Sequence, residues 1–265
     1  MRAHRRTIFR VTGTASASLR VVIEVAVDSA TGGETAARAG ADRLELCQDL
    51  GAGGLTPSLG LFETLRAAVA VPVFVLVRPR PGDFLYDRAE FAAMLRDIGH
   101  LRAAGAAGIV TGALLANGHV DRERLRELLA AAAPMPVTFH RAFDVAAEPL
   151  AALATLHELG VARVLTSGQA KDAVTGTATI AALVRAAPAG LSVMAGAGVR
   201  DTNVRELVAA TGVREVHLSA TQWLPSGMTF RRPGVPMGAA TVVDEFAVRA
   251  TDGGHVARVV AVLRP

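Results

Sequence analysis

AARAGADRLEL (36–46) decides the fold: a helix-forming stretch, a glycine and, two residues later, a strand rich in leucine. The same order returns in LRAAGAAGIVTG (101–112), LHELGVARVLTSG (156–168) and LVAATGVREVHLSA (207–220). Gly40, Gly105, Gly160 and Gly212 stand where the residue after a helix must take a positive φ. Four more apolar runs lie between these units: VVIEVAV (21–27), VPVFVLV (71–77), MPVTFH (135–140) and LSVMAG (191–196). Eight nearly all-apolar strands alternating with helices imply a parallel sheet covered on its outside by helices.

The helices carry their own signals. Phe91, Leu95, Ile98 and Leu101 recur at three- or four-residue spacing, and Asp121 and Asp201 are placed to cap helix starts. Eight such units in about 220 residues predict an α/β chain folded as one (β/α)8 TIM barrel, a fold of ~250 residues. The competitor is an open doubly wound sheet. It calls for a Gly-rich dinucleotide turn after the first strand, and VDSATGGETAA has no GxGxxG. The barrel is expected over residues 21–240, with 241–265 an appended strand or helix.

Composition narrows the function. The chain has 265 residues, 51% hydrophobic and 20% charged, enough to build a large core. No apolar run reaches the ~18 residues of a membrane span, so no membrane partner is expected. The net charge of +4 is misleading as a nucleic-acid signal. Residues 1–20 hold Arg2, Arg5, Arg6, Arg10 and Arg20 with no acid; subtracting that +5 leaves −1 for residues 21–265. The basic groups of the rest are arginines apart from Lys171, so no basic nucleic-acid face is expected. The tail 1–20 reads as a disordered extension, with an organellar transit peptide as the alternative.

A barrel keeps its chemistry at the C-terminal ends of its strands. Polar groups there are Glu24 in the first strand, Glu45 and Cys47 in the second, and Arg78 after the third. His140 follows the fifth strand, and His217 lies in the eighth. Strands eight, one, two and three are neighbours in a closed barrel, so His217, Glu24, Glu45 and Arg78 are expected to form one arc, with His140 opposite. Two carboxylates in an apolar cup raise each other's pKa and an arginine lowers one, which separates an acid from a base. The alternative is that these carboxylates are ordinary buried ion-pair partners of Arg78. The turns TSG (166–168) and GAGV (196–199) offer Ser167, Gly168, Gly196 and Gly198 as an anion-binding pair of loops. RPRPGDFLYD (78–87) reads as a surface loop or a lid. Soft metal ligands are few: Cys47, with His140, His217 and Met194 as possible companions.

DRLELCQDLGAGGLTPSLG, PVFVLVRPRPGDFLY, PVTFHRAFD, RVLTSG, VMAGAGV and EVHLSA, followed by SGMTFR and MGA, together resemble the CutC copper homeostasis family over residues 21–240. The resemblance implies a cytoplasmic, usually oligomeric TIM barrel with a role in copper handling and copper binding. Family members often carry cysteines where this chain has Ala26 and Leu218, so only Cys47 remains as a thiolate ligand, from two subunits or with histidine. A copper ion is the one cofactor implied; no organic cofactor motif is evident.

Three functions follow. The resemblance implies a copper-binding homeostasis protein that forms a homo-oligomer. The pocket residues suggest an enzyme doing acid–base chemistry on a small anionic or sugar-like metabolite, with Glu24, Glu45, Arg78, His140 and His217 catalytic. The third is a catalytically silent oligomeric scaffold.

Overall fold

The computed structural model describes residues 20–232, 234–235 and 244–264. The basic tail up to residue 19 and the MGA stretch lie outside the described residues. Strand and helix alternate: β1 (Val22–Val27), α1 (Ala30–Arg38), β2 (Arg43–Leu46), α2 (Leu59–Ala68), β3 (Val73–Leu76), α3 (Arg88–Ala103), β4 (Gly108–Thr111) and α4 (Arg122–Ala132) form the first half. β5 (Val137–Phe139), α5 (Pro149–Glu158), β6 (Arg163–Thr166), α6 (Thr177–Ala186), β7 (Ser192–Ala195), α7 (Val204–Thr211) and β8 (Glu215–Leu218) form the second. β1 to β8 pair in sequence order, all parallel, and β8 returns to β1, which closes the (β/α)8 barrel.

Local chemistry explains the repeat. Gly40, Gly105, Gly160 and Gly212 take φ of +98°, +84°, +84° and +74°, turning each helix into its strand at no Cβ cost. In α3, Phe91, Met94, Ile98 and Leu101 are buried, and Leu95 packs half-buried beside them. Asp87 caps this helix through the Glu90 N–H at 2.8 Å, and Glu90 answers with a carboxylate on the Asp87 N–H. Asp121 caps α4 as expected, accepting from Arg124 N at 3.1 Å. Asp201 does not cap α7. The N-cap residue is Asn203, whose side chain accepts from Arg200 N, while Asp201 pairs with Arg258 at 2.8 Å. A bond to a helix packed alongside displaced the local one.

Two cores result. The larger lies between strands and helices and runs from Val21 to Val259. The smaller is inside the barrel, where Cys47, Phe74, Leu76 and Val110 pack together. β9 (Thr221–Pro225) leaves the barrel and pairs antiparallel with β10 (Ala247–Thr251), ahead of α8 (Gly253–Leu263), which packs on α1 and α7. Asp42 ties both ends of the described chain: it accepts from Arg20, Arg264 and the Ile23 N–H. Among the described residues no helix is long and apolar enough to cross a membrane.

Gly176, at the start of α6, touches the end of β6. A Cβ there would sit 1.9 Å from the Ser167 carbonyl oxygen and 2.9 Å from Gly168 Cα, both backbone atoms. Gly176→Ala is therefore expected to destabilise the protein by about 1–3 kcal/mol through overpacking, and the N-cap position, which prefers glycine to alanine, adds to the loss. Chemical denaturation checks this; unchanged stability would mean the loop after β6 yields freely.

Candidate active site at the barrel mouth

Parallel register places residues on one level of the barrel interior. Glu24 pairs with Arg43 of β2 and with His217 of β8. Glu45, two residues along from Arg43, lies one level nearer the mouth, beside Ala26 and Phe74. The lower level is ionic: Arg43 Nε donates to Glu24 Oε2, and Arg43 Nη2 donates to Glu215 Oε2 at 2.6 Å. Arg163 Nε reaches the same Glu215 oxygen at 2.5 Å and its Nη1 reaches Thr138 at 2.9 Å. Both guanidinium groups lie near the Phe74 ring, at 5.0 and 5.4 Å from its centroid. Strands that read as apolar thus enclose a charged layer whose members neutralise one another.

Above it, His217 Nδ1 is 2.8 Å from Glu24 Oε1 and 3.8 Å from Glu45 Oε2. One imidazole therefore stands between two buried carboxylates. Burial pushes Glu24 up, but the His217 hydrogen bond and the Arg43 charge outweigh it and bring the pKa down to about 2. Glu45 has no hydrogen-bond partner on Oε2, and burial, reinforced by Glu24, pushes it up to about 7. Burial opposes a charge on His217; Glu45 and Glu24 outweigh that and raise its pKa above the ordinary imidazole value.

Glu45, Arg78, His140 and His217 line one cavity of about 410 Å³, with Arg141, Gly198 and Arg200 around its opening; Glu24 lies beneath, fully buried. The expected arc is present, with His140 among the walls. Arg78 is not the carboxylates' counter-ion. Its Nη1 donates to the Ala52 and Gly54 carbonyls at 2.9 and 3.0 Å and its Nη2 to Gly82 at 2.8 Å, bracing two loops. Arg43 takes the ionic role. Its signal was in ADRLEL, where it stands two residues before Glu45 in a buried strand and so shares its face.

His140 Nδ1 accepts from Ala142 N at 3.1 Å, its ring lies 4.8 Å from Phe84, and Nε2 is buried without a partner. Burial and then the Arg78 charge push its pKa down to about 3, so it is a neutral imidazole with its proton on Nε2.

The predicted anion loops are partly consumed from within. The N–H of Ser167 bonds Asp144, that of Gly168 bonds Thr166 Oγ1 at 2.9 Å, and that of Gly196 bonds the Thr166 carbonyl at 3.0 Å. Gly198 reaches the cavity, as do Arg141 and Arg200. Arg141 is held by Asp144 at 2.7 Å and Ser167 at 3.0 Å. The segment after Arg78 is folded on itself, Arg80 bonding Asp83, the Leu85 carbonyl and Glu90. A groove of about 810 Å³ by α4 and α5 contains none of the predicted catalytic, anion-binding or metal-binding residues.

Glu24, Glu45 and His217 place one donor atom each within 4.8 Å of one another, the spacing a cation could bridge. Their chemistry is hard, and both Glu24 oxygens are engaged by Arg43 and His217. The soft ligands are engaged elsewhere. Cys47 is packed among Phe74, Leu76 and Val110, its thiol on the Val27 carbonyl at 3.7 Å. Burial, then Glu45, pushes that thiol well above its ordinary pKa and keeps it protonated. Met194 Sδ accepts from Arg43 Nη2 at 3.4 Å. A thiolate and thioether set for Cu(I) is not assembled in this arrangement.

The family model of the CutC family matches residues 21–222. A CutC family protein of Klebsiella pneumoniae (strain 342) is 50% identical, over 91% of this chain and 97% of its own. The human copper homeostasis protein cutC homolog is 44% identical, over 91% of this chain and 88% of its own. The crystal structure of CutC from Streptococcus agalactiae superposes with a TM-score of 0.70 at 31% identity, covering 75% of this chain and 98% of that one.

Proposed function

The chain belongs to the CutC family, and from that premise we propose that its barrel mouth is an enzyme active site moving a proton on a small anionic metabolite. One observation carries the reading: two buried carboxylates share His217 and are driven in opposite directions, Glu24 to about 2 and Glu45 to about 7. Glu24 stays ionised and holds the His217 Nδ1 proton, which orients the ring. Glu45 is poised to gain or lose a proton near neutrality, which is what an acid–base group requires. Among the described residues three arginines, Arg78, Arg141 and Arg200, line the cavity against one carboxylate, Glu45, so its field favours an anion.

A screen of sugar acids and sugar phosphates by thermal shift, followed by turnover of the hits, tests this. At least one class is expected to stabilise the protein, with turnover reduced 10²–10⁴-fold in Glu45→Gln and unchanged in Cys47→Ser. Equal turnover in wild type and Glu45→Gln would end the reading.

The second reading is copper binding in the cytoplasm, favoured by the name of the human relative. It rests on Cys47, with the thiol deprotonated by the incoming ion. Cu(I) affinity is then expected to fall at least tenfold in Cys47→Ser; equal or negligible binding in both proteins removes it. The homo-oligomer belongs to either reading. Leu224 on β9 and Val248 on β10 are exposed and directly opposite each other, an apolar pair on one face of the ribbon, with exposed Trp223 on the other.

A further inference from the structure

We propose that Arg78 and His140 form an oxyanion site, and that the substrate is an enolisable carbonyl compound of the 2-oxo carboxylate class. This rests on the acid–base reading and names its substrate.

Among the described residues six buried side-chain atoms lack a hydrogen-bond partner, and three of them, on residues lining the mouth cavity, are Glu45 Oε2, Arg78 Nε and His140 Nε2; a fourth, His255 Nε2, faces the Asp201 carboxylate at 3.9 Å. Each orphaned buried polar group costs about 1–3 kcal/mol, so such a concentration points to a ligand that completes them. Their identities specify it. Arg78 has both Nη groups bonded to backbone carbonyls, three N–H donors used of five, which fixes the guanidinium and leaves Nε as its one nitrogen with no partner. His140 has Nδ1 committed as acceptor to Ala142 N, which puts the proton on Nε2. Both side chains flank one ring: the Arg78 guanidinium carbon lies 5.1 Å from the Phe84 centroid and the His140 ring 4.8 Å from it. Two N–H donors without an acceptor, on residues that line one cavity and pack on the same ring, suit an oxygen that gains negative charge during reaction. A neutral imidazole can donate to that oxygen without surrendering its proton outright.

The step balances with these groups alone. Neutral His217 or ionised Glu45 takes the proton from the carbon next to the carbonyl. The C–H electron pair becomes the C=C bond of an enolate, and the carbonyl π pair moves onto oxygen, between Arg78 Nε–H and His140 Nε2–H. Return of a proton to that same carbon from the opposite face collapses the enolate back to the carbonyl and gives the epimer. No electron leaves, so no oxidant or reductant is needed. The substrate's carboxylate falls to Arg141 and Arg200 at the opening.

Oxalate, a planar dianion with the charge distribution of a 2-oxo acid enolate, is the probe. Titrated into the full chain, it is expected to move the His140 Nε2 resonance in long-range ¹H–¹⁵N spectra with the proton retained on Nε2. Calorimetry is expected to show at least tenfold weaker oxalate binding in His140→Gln and in Arg78→Lys. Arg78 braces two loops, so the wild-type spectrum decides if that variant does not fold. Oxalate binding with His140 unmoved and His140→Gln unaffected, or no binding up to millimolar oxalate, overturns the proposal. Tenfold loss in His140→Gln with full binding in Glu45→Gln supports the oxyanion site even if Glu45 proves idle in proton transfer, so the two readings fail separately.

Discussion

Arg43→Met is expected to cost the fold about 3–5 kcal/mol, the effect of leaving buried carboxylates without their cation. Arg43 serves two of them, Glu24 and Glu215, and is itself 7% exposed. Glu215 keeps Arg163 at 2.5 Å, so the heavier loss falls on Glu24, which is fully buried. The pH dependence has a fixed sign. Glu24 is held below its ordinary 4.5, at about 2, so its ionised form contributes stability above pH 4.5 that is lost as pH falls through 2. Arg43→Met removes part of that depression. The gap between wild type and variant should be full at pH 7 and narrow below pH 4.5 in urea denaturation. A loss under about 1 kcal/mol at pH 7 would show that Glu24 does not depend on Arg43. Adding Glu24→Gln should recover part of the loss, since the stranded charge is then gone.

Glu45→Gln is expected to act in the opposite direction. Glu45 is raised from 4.5 to about 7, so its contribution is fully present below pH 4.5 and is lost as pH rises through 7. Above that the wild type holds a desolvated charge beside Glu24, which glutamine never acquires. The variant should match wild type at pH 4 and exceed it by roughly 2–3 kcal/mol at pH 8, following the size of the shift. Thermal denaturation at the two pH values checks this. Equal stability at pH 8 would show that Glu45 ionises without penalty and would undercut its acid–base role. Stability gained together with turnover lost is the pattern of a group retained for chemistry rather than for folding.

The fold was legible because its grammar is local. A helix end, a glycine at positive φ and an apolar strand are each written within about ten residues, and closure follows from repetition. The site was partly legible. Glu24, Glu45 and His217 meet because strand neighbours and two-residue periodicity place them together, and both can be read from sequence. Arg78 was misread as a counter-ion because its partners are the carbonyls of Ala52, Gly54 and Gly82, and no residue type announces a carbonyl's direction. Arg43 went unnoticed because an arginine beside Asp42 at a strand entrance looks like surface, whereas a barrel encloses both ends of its strands. The glycine turns at 166–168 and 196–198 were only partly legible for a related reason. Composition shows that a backbone N–H can approach an anion, and Asp144 and Thr166 had already taken most of them.

The Asp42 clasp has a topological consequence. One carboxylate gathers Arg20, Arg264 and the first strand, so the two ends of the described chain are neighbours in space, on the side opposite the mouth. Where the chain begins is then a convention the barrel does not need. Linking those ends and reopening the ring at exposed Gly190, in the loop ahead of β7, would leave every strand pairing and every cavity residue in place. Such a re-cut barrel would carry its new termini far from the mouth cavity, free for fusion to another domain.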